Sequence, residues 1–112
     1  MNKIPSFISE ITDEMVDAAV SAFQNEKFIL GESVFKFEEE FARYIGTKYA
    51  IAVNSGSSAI QLALISLGLK EKSDVITSTN SFVASANTIK MANGNPILID
   101  IDERDGNINL DN

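Results

Sequence analysis

The four residues Ser55-Gly56-Ser57-Ser58 are the part of this chain whose types and spacing best suit ligand binding. They follow an apolar run at 50–53 and precede residues with the composition of a helix. A helix that begins after a buried strand directs unpaired backbone N–H groups and the positive end of its dipole at the strand end, and this geometry binds phosphate. Gly56 permits close approach of a ligand or a positive φ, and the hydroxyls cap the helix or bond phosphate oxygens. The alternative is a capped turn without a ligand.

The composition favours one small globular domain and excludes several kinds of site. Hydrophobic residues make up 45% of the 112 residues, and the formal net charge of −7 argues against nucleic acid as a partner. Cysteine and histidine are both absent, which excludes disulfides, thiolate metal sites and a histidine base. We predict no metal site. No apolar run approaches the ~20 residues of a membrane span, so we expect no membrane partner and a cytoplasmic location.

The first 46 residues predict an extended arm and two helices. Pro5 breaks any helix in the arm, which ends near residue 11. Thr12 is expected to cap the first helix and Ser33 the second, and Gly46 is expected to end the second helix. The glutamates at 38–40 are expected to form a solvated helix face rather than a metal site.

From residue 49 onward, apolar strands alternate with helices. We predict strands at 49–54, 74–77 and 96–101, and helices at about 57–67, closed by Gly68, and about 82–93, closed by Gly94. This order predicts an α/β fold with three layers, α/β/α, around a mainly parallel sheet. An open sheet of three strands leaves an exposed edge, so we expect the chain to be the front part of a larger protein.

The ligand suggested by the order of these elements is a phosphorylated aromatic cofactor. The sequence contains neither the dinucleotide-binding glycine pattern nor a P-loop. Phe82 follows the second predicted strand, and both Phe82 and the Ser55–Ser58 turn are expected at the carboxyl ends of strands, where ligands bind in open α/β sheets. The alternative for Phe82 is a place in the core.

Six blocks in a fixed order carry a resemblance to a known family. They are FILG at 28–31, FE and FA at 37–38 and 41–42 with Gly46, NSGSSAIQLAL at 54–64, DVIT at 74–77, SFVASAN at 81–87 and PILIDID at 96–102. In these blocks the sequence resembles the N-terminal third of the DegT/DnrJ/StrS aminotransferases, which are pyridoxal 5'-phosphate enzymes of fold type I that act on keto-sugar nucleotides. The resemblance covers about residues 5–112.

The resemblance implies roles for four residues. Gly56, Ser57 and Ser58 match the family turn that binds the cofactor phosphate, with the Ser57 hydroxyl and the N–H groups of Ser57 and Ser58 as donors. Phe82 matches the aromatic residue that stacks on the cofactor ring. The implied domains are an N-terminal arm and helix at 1–30 and the first part of the cofactor-binding α/β domain at 31–112.

The resemblance also implies an activity. The full enzyme would transfer an amino group, from a donor such as glutamate, to a nucleotide-sugar substrate for polysaccharide, lipopolysaccharide or related sugar biosynthesis, and would act as a homodimer. The family's catalytic lysine and its partner aspartate fall beyond residue 112, so no catalytic residue is assigned here and the chain alone is expected to be inactive. The alternatives are a sugar dehydratase of the same family, with histidine in place of the lysine, and a non-catalytic fragment or assembly module.

The resemblance further implies that the first predicted strand lies apart from the other two, with later strands filling the gap. A piece of 112 residues would then leave apolar helix faces uncovered, including Val34, Phe37 and Phe41. We therefore expect the isolated chain to self-associate, to re-pair its strands or to be partly molten.

Overall fold

The computed structural model describes residues 4–5 and 7–109. In chain order it contains helices α1 (Asp13–Asn25), α2 (Glu32–Ile45) and α3 (Gly56–Ser66), strand β1 (Asp74–Ser78), helix α4 (Ala84–Met91) and strand β2 (Asn95–Ile99). The chain forms two compact units, Met1–Ala52 with α1 and α2, and Val53–Asn112 with the other elements. The domain boundary expected after residue 30 stays a prediction.

Helix α1 begins as its sequence predicts. Thr12 is the N-cap in an extended conformation, and its Oγ1 accepts a hydrogen bond from the Met15 N–H at 3.2 Å. Asp13 and Glu14 occupy the first turn, where their negative charges interact favourably with the positive end of the helix dipole. Local signals therefore suffice to place this helix end.

Helix α2 begins differently from the prediction, because Gly31 and not Ser33 is its N-cap. Ser33 lies inside the first turn, and the Glu26 carboxylate accepts hydrogen bonds from both its N–H, at 2.9 Å, and its hydroxyl. A Cβ on Gly31 would lie 3.0 Å from the Lys27 carbonyl oxygen, so this close turn favours glycine. Gly46, with φ of 80°, ends the helix as predicted.

The prediction of a strand at 49–54 is wrong, since none of these residues is in a strand. A strand requires a neighbouring strand whose backbone can pair with its own N–H and C=O groups. Among the described residues, no strand pairs with residues 49–54. Side chains bind the backbone instead. The Ala52 N–H donates to Glu38 Oε1 at 2.7 Å, and the Thr47 hydroxyl donates to the Tyr49 carbonyl at 3.0 Å.

Strands β1 and β2 form a parallel pair, which confirms the predicted α/β class. The register runs from Asp74 beside Asn95 to Ser78 beside Ile99. Helix α4 connects the strands and packs against both, and α3 packs against α4. The third predicted strand ends two residues early, and Ile101 instead forms an isolated antiparallel bridge with Ile108.

The core of this second unit is small and centres on α4. Its buried residues include Thr88, Ile89 and Ala92. Ile76 lies beside Ile97, so Leu98 points to the opposite face of the sheet. Ile76 is 57% exposed and Leu98 is 56% exposed, so the described chain leaves both faces partly open.

The predicted end of α4 needs correction. The helix spans Ala84–Met91 rather than 82–93, and the residue with positive φ beyond it is Asn93, at 63°. Gly94 is buried, and a Cβ there would lie 2.9 Å from Ile89 Cγ2 and 3.0 Å from Leu69 Cδ2. Gly94 therefore serves close packing, while Asn93 reverses the chain.

In the first unit, apolar helix faces are open in the described residues. Phe37 is 53% exposed and Phe41 is 44% exposed, and their rings stack with centroids 5.5 Å apart. Val34 is half-buried and Ala42 is buried. The expected self-association of the isolated chain stays a prediction.

Candidate functional site

The segment from Asn54 to Ser58 turns the chain into helix α3 through a network of three side chains. Ser55 is the extended N-cap, and its Oγ accepts the Ser58 N–H at 3.2 Å. The Ser58 hydroxyl donates to Asn54 Oδ1 at 2.7 Å and lies 3.0 Å from Ser55 Oγ. The Ser58 N–H and hydroxyl are thus both engaged within the turn.

Two backbone amides of this helix start have no partner among the residues that the structure describes. The Ala59 N–H donates to the Ser55 carbonyl at 3.0 Å, and the Ser58 N–H donates to the Ser55 side chain. The N–H groups of Gly56 and Ser57 have no hydrogen-bond partner among the described residues, and neither does the Ser57 hydroxyl. The first turn of α3 contains no acidic residue. This turn can donate two amides and a hydroxyl to an anion.

Gly56 leaves room for a ligand at this turn. Gly56 begins α3, and it is not among the glycines with positive φ. A left-handed backbone conformation therefore does not explain why this residue is glycine. A Cβ built on Gly56 would meet no atom of the described residues within 4 Å. Packing among the described residues therefore does not require glycine here, and they leave open the space beside the two free amides.

Phe82 lies in the loop between β1 and α4. Its side chain is 78% exposed, so Phe82 is not a core residue of the described chain, and it makes no ring–ring contact there. The hydroxyls of Ser81 and Ser85 lie 2.8 Å apart and connect this loop to the first turn of α4. The structure thus presents the ring to solvent in the same compact unit as α3.

The structure adds one residue to those predicted for the turn. Asn54 accepts the Ser58 hydroxyl, and the sequence signal that could have shown it is an asparagine directly before a serine cap. The lysines at positions 70, 72 and 90 are all exposed. Among the described residues no group of three or more acidic side chains is placed to hold a metal ion, and no helix is long and apolar enough to cross a membrane.

Comparison with known proteins identifies the family. A model of the DegT/DnrJ/EryC1/StrS aminotransferase family matches residues 9–112. This chain belongs to that family. The match confirms the resemblance drawn from the six sequence blocks.

Three relatives illustrate the match. The UDP-4-amino-4,6-dideoxy-N-acetyl-beta-L-altrosamine transaminase of Campylobacter jejuni is 42% identical over 93 residues, which are 83% of this chain and 24% of that protein. The aminotransferase structure from Psychrobacter cryohalolentis is 32% identical with a TM-score of 0.80, covering 88% of this chain and 26% of that one. The structure of the E. coli GDP-4-keto-6-deoxy-D-mannose-3-dehydratase with bound hydrated PLP is 28% identical with a TM-score of 0.88. The match covers 99% of this chain and 30% of that one.

These similarities confirm the fold class, since the structural neighbours are pyridoxal-phosphate proteins of the aminotransferase fold. The chain spans about a quarter of the length of the curated relatives that it matches.

Proposed function

We propose that this chain is the N-terminal part of a pyridoxal-phosphate-dependent sugar aminotransferase. The full enzyme would move an amino group from glutamate to a nucleotide-linked keto-sugar in the cytoplasm, act as a homodimer, and serve polysaccharide, lipopolysaccharide or related sugar biosynthesis. The observation that carries the proposal is the family match over residues 9–112. The names of several relatives, transaminases of UDP- and dTDP-linked sugars, support the substrate class.

The residues at the start of α3 fit the phosphate of this cofactor. The free N–H groups of Gly56 and Ser57 and the free Ser57 hydroxyl are donors at the positive end of the helix dipole. Ser58, which the resemblance also assigns to the phosphate, would hold the turn in shape through its bonds to Asn54 and Ser55. The exposed ring of Phe82 supports its role as the surface against the cofactor ring.

The cofactor, when bound, supplies an electron sink for chemistry at the substrate carbon. The residues of this chain would bind and orient it. Proton transfer and covalent attachment would require the lysine and aspartate that the family carries beyond the matched segment. We therefore propose that the 112-residue chain alone is inactive.

A sugar dehydratase is the second candidate. The supporting observation is the TM-score of 0.88 to the E. coli dehydratase with bound hydrated PLP. The residue at the family's lysine position separates the two, because lysine would favour amino transfer and histidine would favour dehydration. A non-catalytic fragment or assembly module is the third candidate, and it would not attach the cofactor covalently.

The test is a titration of the isotopically labelled 112-residue chain with pyridoxamine 5'-phosphate, followed by amide NMR. This compound carries the phosphate and the ring but no aldehyde, so it cannot react with exposed lysines. We expect the largest shifts at the Gly56 and Ser57 amides and at Phe82, and much smaller shifts with pyridoxamine, which lacks the phosphate. Shifts that do not depend on the phosphate, or that centre on α1 or α2, would contradict the proposal.

A second measurement tests the absence of a catalytic lysine. After incubation with pyridoxal 5'-phosphate and reduction with borohydride, we expect weak labelling spread over exposed lysines. Stable, selective labelling of Lys70, Lys72 or Lys90 would show that the chain holds its own cofactor-binding lysine.

A further inference from the structure

The loop that carries Phe82 is bonded to the elements on both sides of it. At its start, the Thr79 N–H donates to the Ile99 carbonyl at 2.9 Å, which continues the pairing of β1 with β2. At its end, the Ser85 N–H in the first turn of α4 donates to the Phe82 carbonyl at 3.0 Å. The Ser85 hydroxyl lies 2.8 Å from the hydroxyl of Ser81, the residue before Phe82. Ser85 is thus bonded to Phe82 itself and to the residue that precedes it.

The bond between the two serine hydroxyls does not serve the start of α4. The N-cap of this helix is Val83, and no side chain caps the helix. Among the described residues, neither serine hydroxyl bonds a backbone group. Thr88 shows the common alternative in the same helix, because its hydroxyl donates to the carbonyl four residues earlier, that of Ala84, at 2.7 Å. The hydroxyl of Ser85 instead holds a residue that lies outside the helix.

The phenyl ring of Phe82 is held by little packing of its own. Its side chain is 78% exposed, and it makes no ring–ring contact with a described residue. The position of the ring therefore depends on the backbone of Phe82, which Ser85 bonds. Both bonds of Ser85 reach at most four residues along the chain. They require no residue outside 81–85, so they do not depend on what covers this loop in a longer polypeptide.

Fixing the ring in advance favours stacking of a flat ligand, because less conformational entropy is then lost on binding. The two hydroxyls provide this order with one bond, in which either oxygen can be the donor. Alanine at position 81 or at position 85 removes the bond, whereas threonine at position 85 keeps a hydroxyl there. The serine pair therefore offers a way to loosen Phe82 without altering its ring.

We propose that Ser85, through its bond to Ser81, is a positioning residue for Phe82 and fixes the place of the ring before the cofactor ring stacks on it. The proposal rests on the role of Phe82 in the proposed function. Ser85 would act through Phe82 and would not touch the cofactor. Loss of the hydroxyl bond should therefore weaken binding of the cofactor ring and leave binding of the phosphate at α3 unaltered.

The first test needs no cofactor. In the full-length protein, with phenylalanine labelled by a nitrogen isotope, amide relaxation gives the backbone order parameter of Phe82. We expect about 0.85, typical of a rigid backbone, to fall toward about 0.6 in Ser85→Ala and in Ser81→Ala, because each variant removes the same bond. Ser85→Thr should stay rigid, since it keeps the hydroxyl. The matched control is Ser78→Ala, which removes the hydroxyl that accepts the Asn80 N–H at 3.1 Å and should leave Phe82 rigid.

The second test compares two ligands by calorimetric titration of the full-length protein without cofactor. The affinity for pyridoxamine 5'-phosphate should fall about fivefold in Ser85→Ala and in Ser81→Ala, the effect of one hydrogen bond, and no further in the double variant. The affinity for inorganic phosphate, which has no ring, should stay unaltered. In a Phe82→Ala background, Ser85→Ala should have no further effect on the affinity, which a merely structural role would not explain.

The two tests separate this proposal from the proposed function. Absence of pyridoxamine 5'-phosphate binding, together with loss of order in Ser85→Ala, would contradict the proposed function and support the ordering of Phe82 by Ser85. Binding with a rigid Phe82 in Ser85→Ala would overturn the positioning role alone. An equal loss for both ligands, a loss that persists without the Phe82 ring, or no retention in Ser85→Thr would also overturn it. If Ser85→Ala folds poorly, Ser81→Ala decides, because it removes the same bond from outside the helix.

Discussion

Helices α1 and α3 begin with the same hydrogen bonds and yet offer an anion opposite environments. In each helix, the side-chain hydroxyl of the N-cap residue accepts a hydrogen bond from the N–H of the third helical residue. Met15 donates to Thr12 in α1 and Ser58 donates to Ser55 in α3, both at 3.2 Å. In each, the carbonyl of the cap accepts the next amide, at 3.2 Å in α1 and 3.0 Å in α3. In each, the first two amides have no partner among the described residues.

The residues that carry those two free amides differ. They are Asp13 and Glu14 in α1 and Gly56 and Ser57 in α3. Carboxylates compensate the dipole of α1 and would repel a phosphate, whereas a glycine and a serine leave the same donors accessible. A capped helix start therefore becomes a candidate anion site only through the two residues that follow the cap.

The start of α2 shows a third arrangement. Its N-cap, Gly31, has no side chain, and the carboxylate that accepts the Ser33 amide comes from Glu26, outside the helix. The protein thus supplies its own anion at this helix start. Among the described residues, the α3 start combines free amides and a side-chain cap with neither an acidic first turn nor a bound carboxylate, whereas α4, which also lacks acidic residues in its first turn, has no side-chain cap.

The largest expected effect comes from giving α3 the first turn of α1. The double change Gly56→Asp with Ser57→Glu should weaken binding of pyridoxamine 5'-phosphate about 100-fold, because two carboxylates face the phosphate while the Ser55 cap is kept. Calorimetric titration measures the affinity, and circular dichroism checks that the helix remains. The reverse change in α1, Asp13→Gly with Glu14→Ser, serves as the control and should leave the affinity unaltered. Unchanged binding in the acidic variant would show that α3 does not bind the phosphate.

Removing one hydroxyl should have a smaller effect. In the full-length enzyme, Ser57→Ala should weaken pyridoxal 5'-phosphate binding by about 1.5–2 kcal/mol, the lower part of the range for one hydrogen bond to a charged group. Ser57→Thr should retain binding, since it keeps the hydroxyl. The matched control is Ser66→Ala, which removes a hydroxyl that donates to the Ala63 carbonyl at the other end of the same helix. Equal losses in the two alanine variants would indicate a general effect on α3.

The smallest effect concerns the carboxylate at the start of α2. Hydrogen bonds from the Ser33 hydroxyl, and then from its amide, lower the pKa of Glu26 from its ordinary value of 4.5. Because the folded pKa is depressed, this contribution to stability is present above about pH 4.5 and is lost as the pH falls through the folded pKa. The melting temperature of the Glu26→Gln variant should therefore be lower than that of the unaltered chain at neutral pH, and the two melting temperatures should converge in acid. If the difference in melting temperature is constant with pH, or equals the difference caused by Glu40→Gln, then Glu26 does not make this pH-dependent contribution to stability.

Local signals predicted the helix ends that depend on neighbouring residues. Thr12 caps α1 and Gly46 ends α2 as expected, since each acts within one helical turn. The cap of α2 was missed because the Glu26 carboxylate reaches Ser33 from seven residues earlier, which no short pattern reveals. The strand at 49–54 failed for a related reason. Apolar composition favours a strand, but a partner strand is needed to form one.

The amino-acid sequence was sufficient to establish the family, the α/β class and the position of the Ser-Gly-Ser-Ser turn, because these depend on residue types in a fixed order. The tertiary structure was needed to show that the Ser58 amide and hydroxyl bind Ser55 and Asn54, leaving Gly56 and Ser57 as free donors. It was also needed to show that Phe82 is exposed and that Gly94 is confined by Ile89 and Leu69. Short-range hydrogen bonds are encoded in adjacent residues, whereas exposure and packing depend on groups brought together from distant parts of the chain.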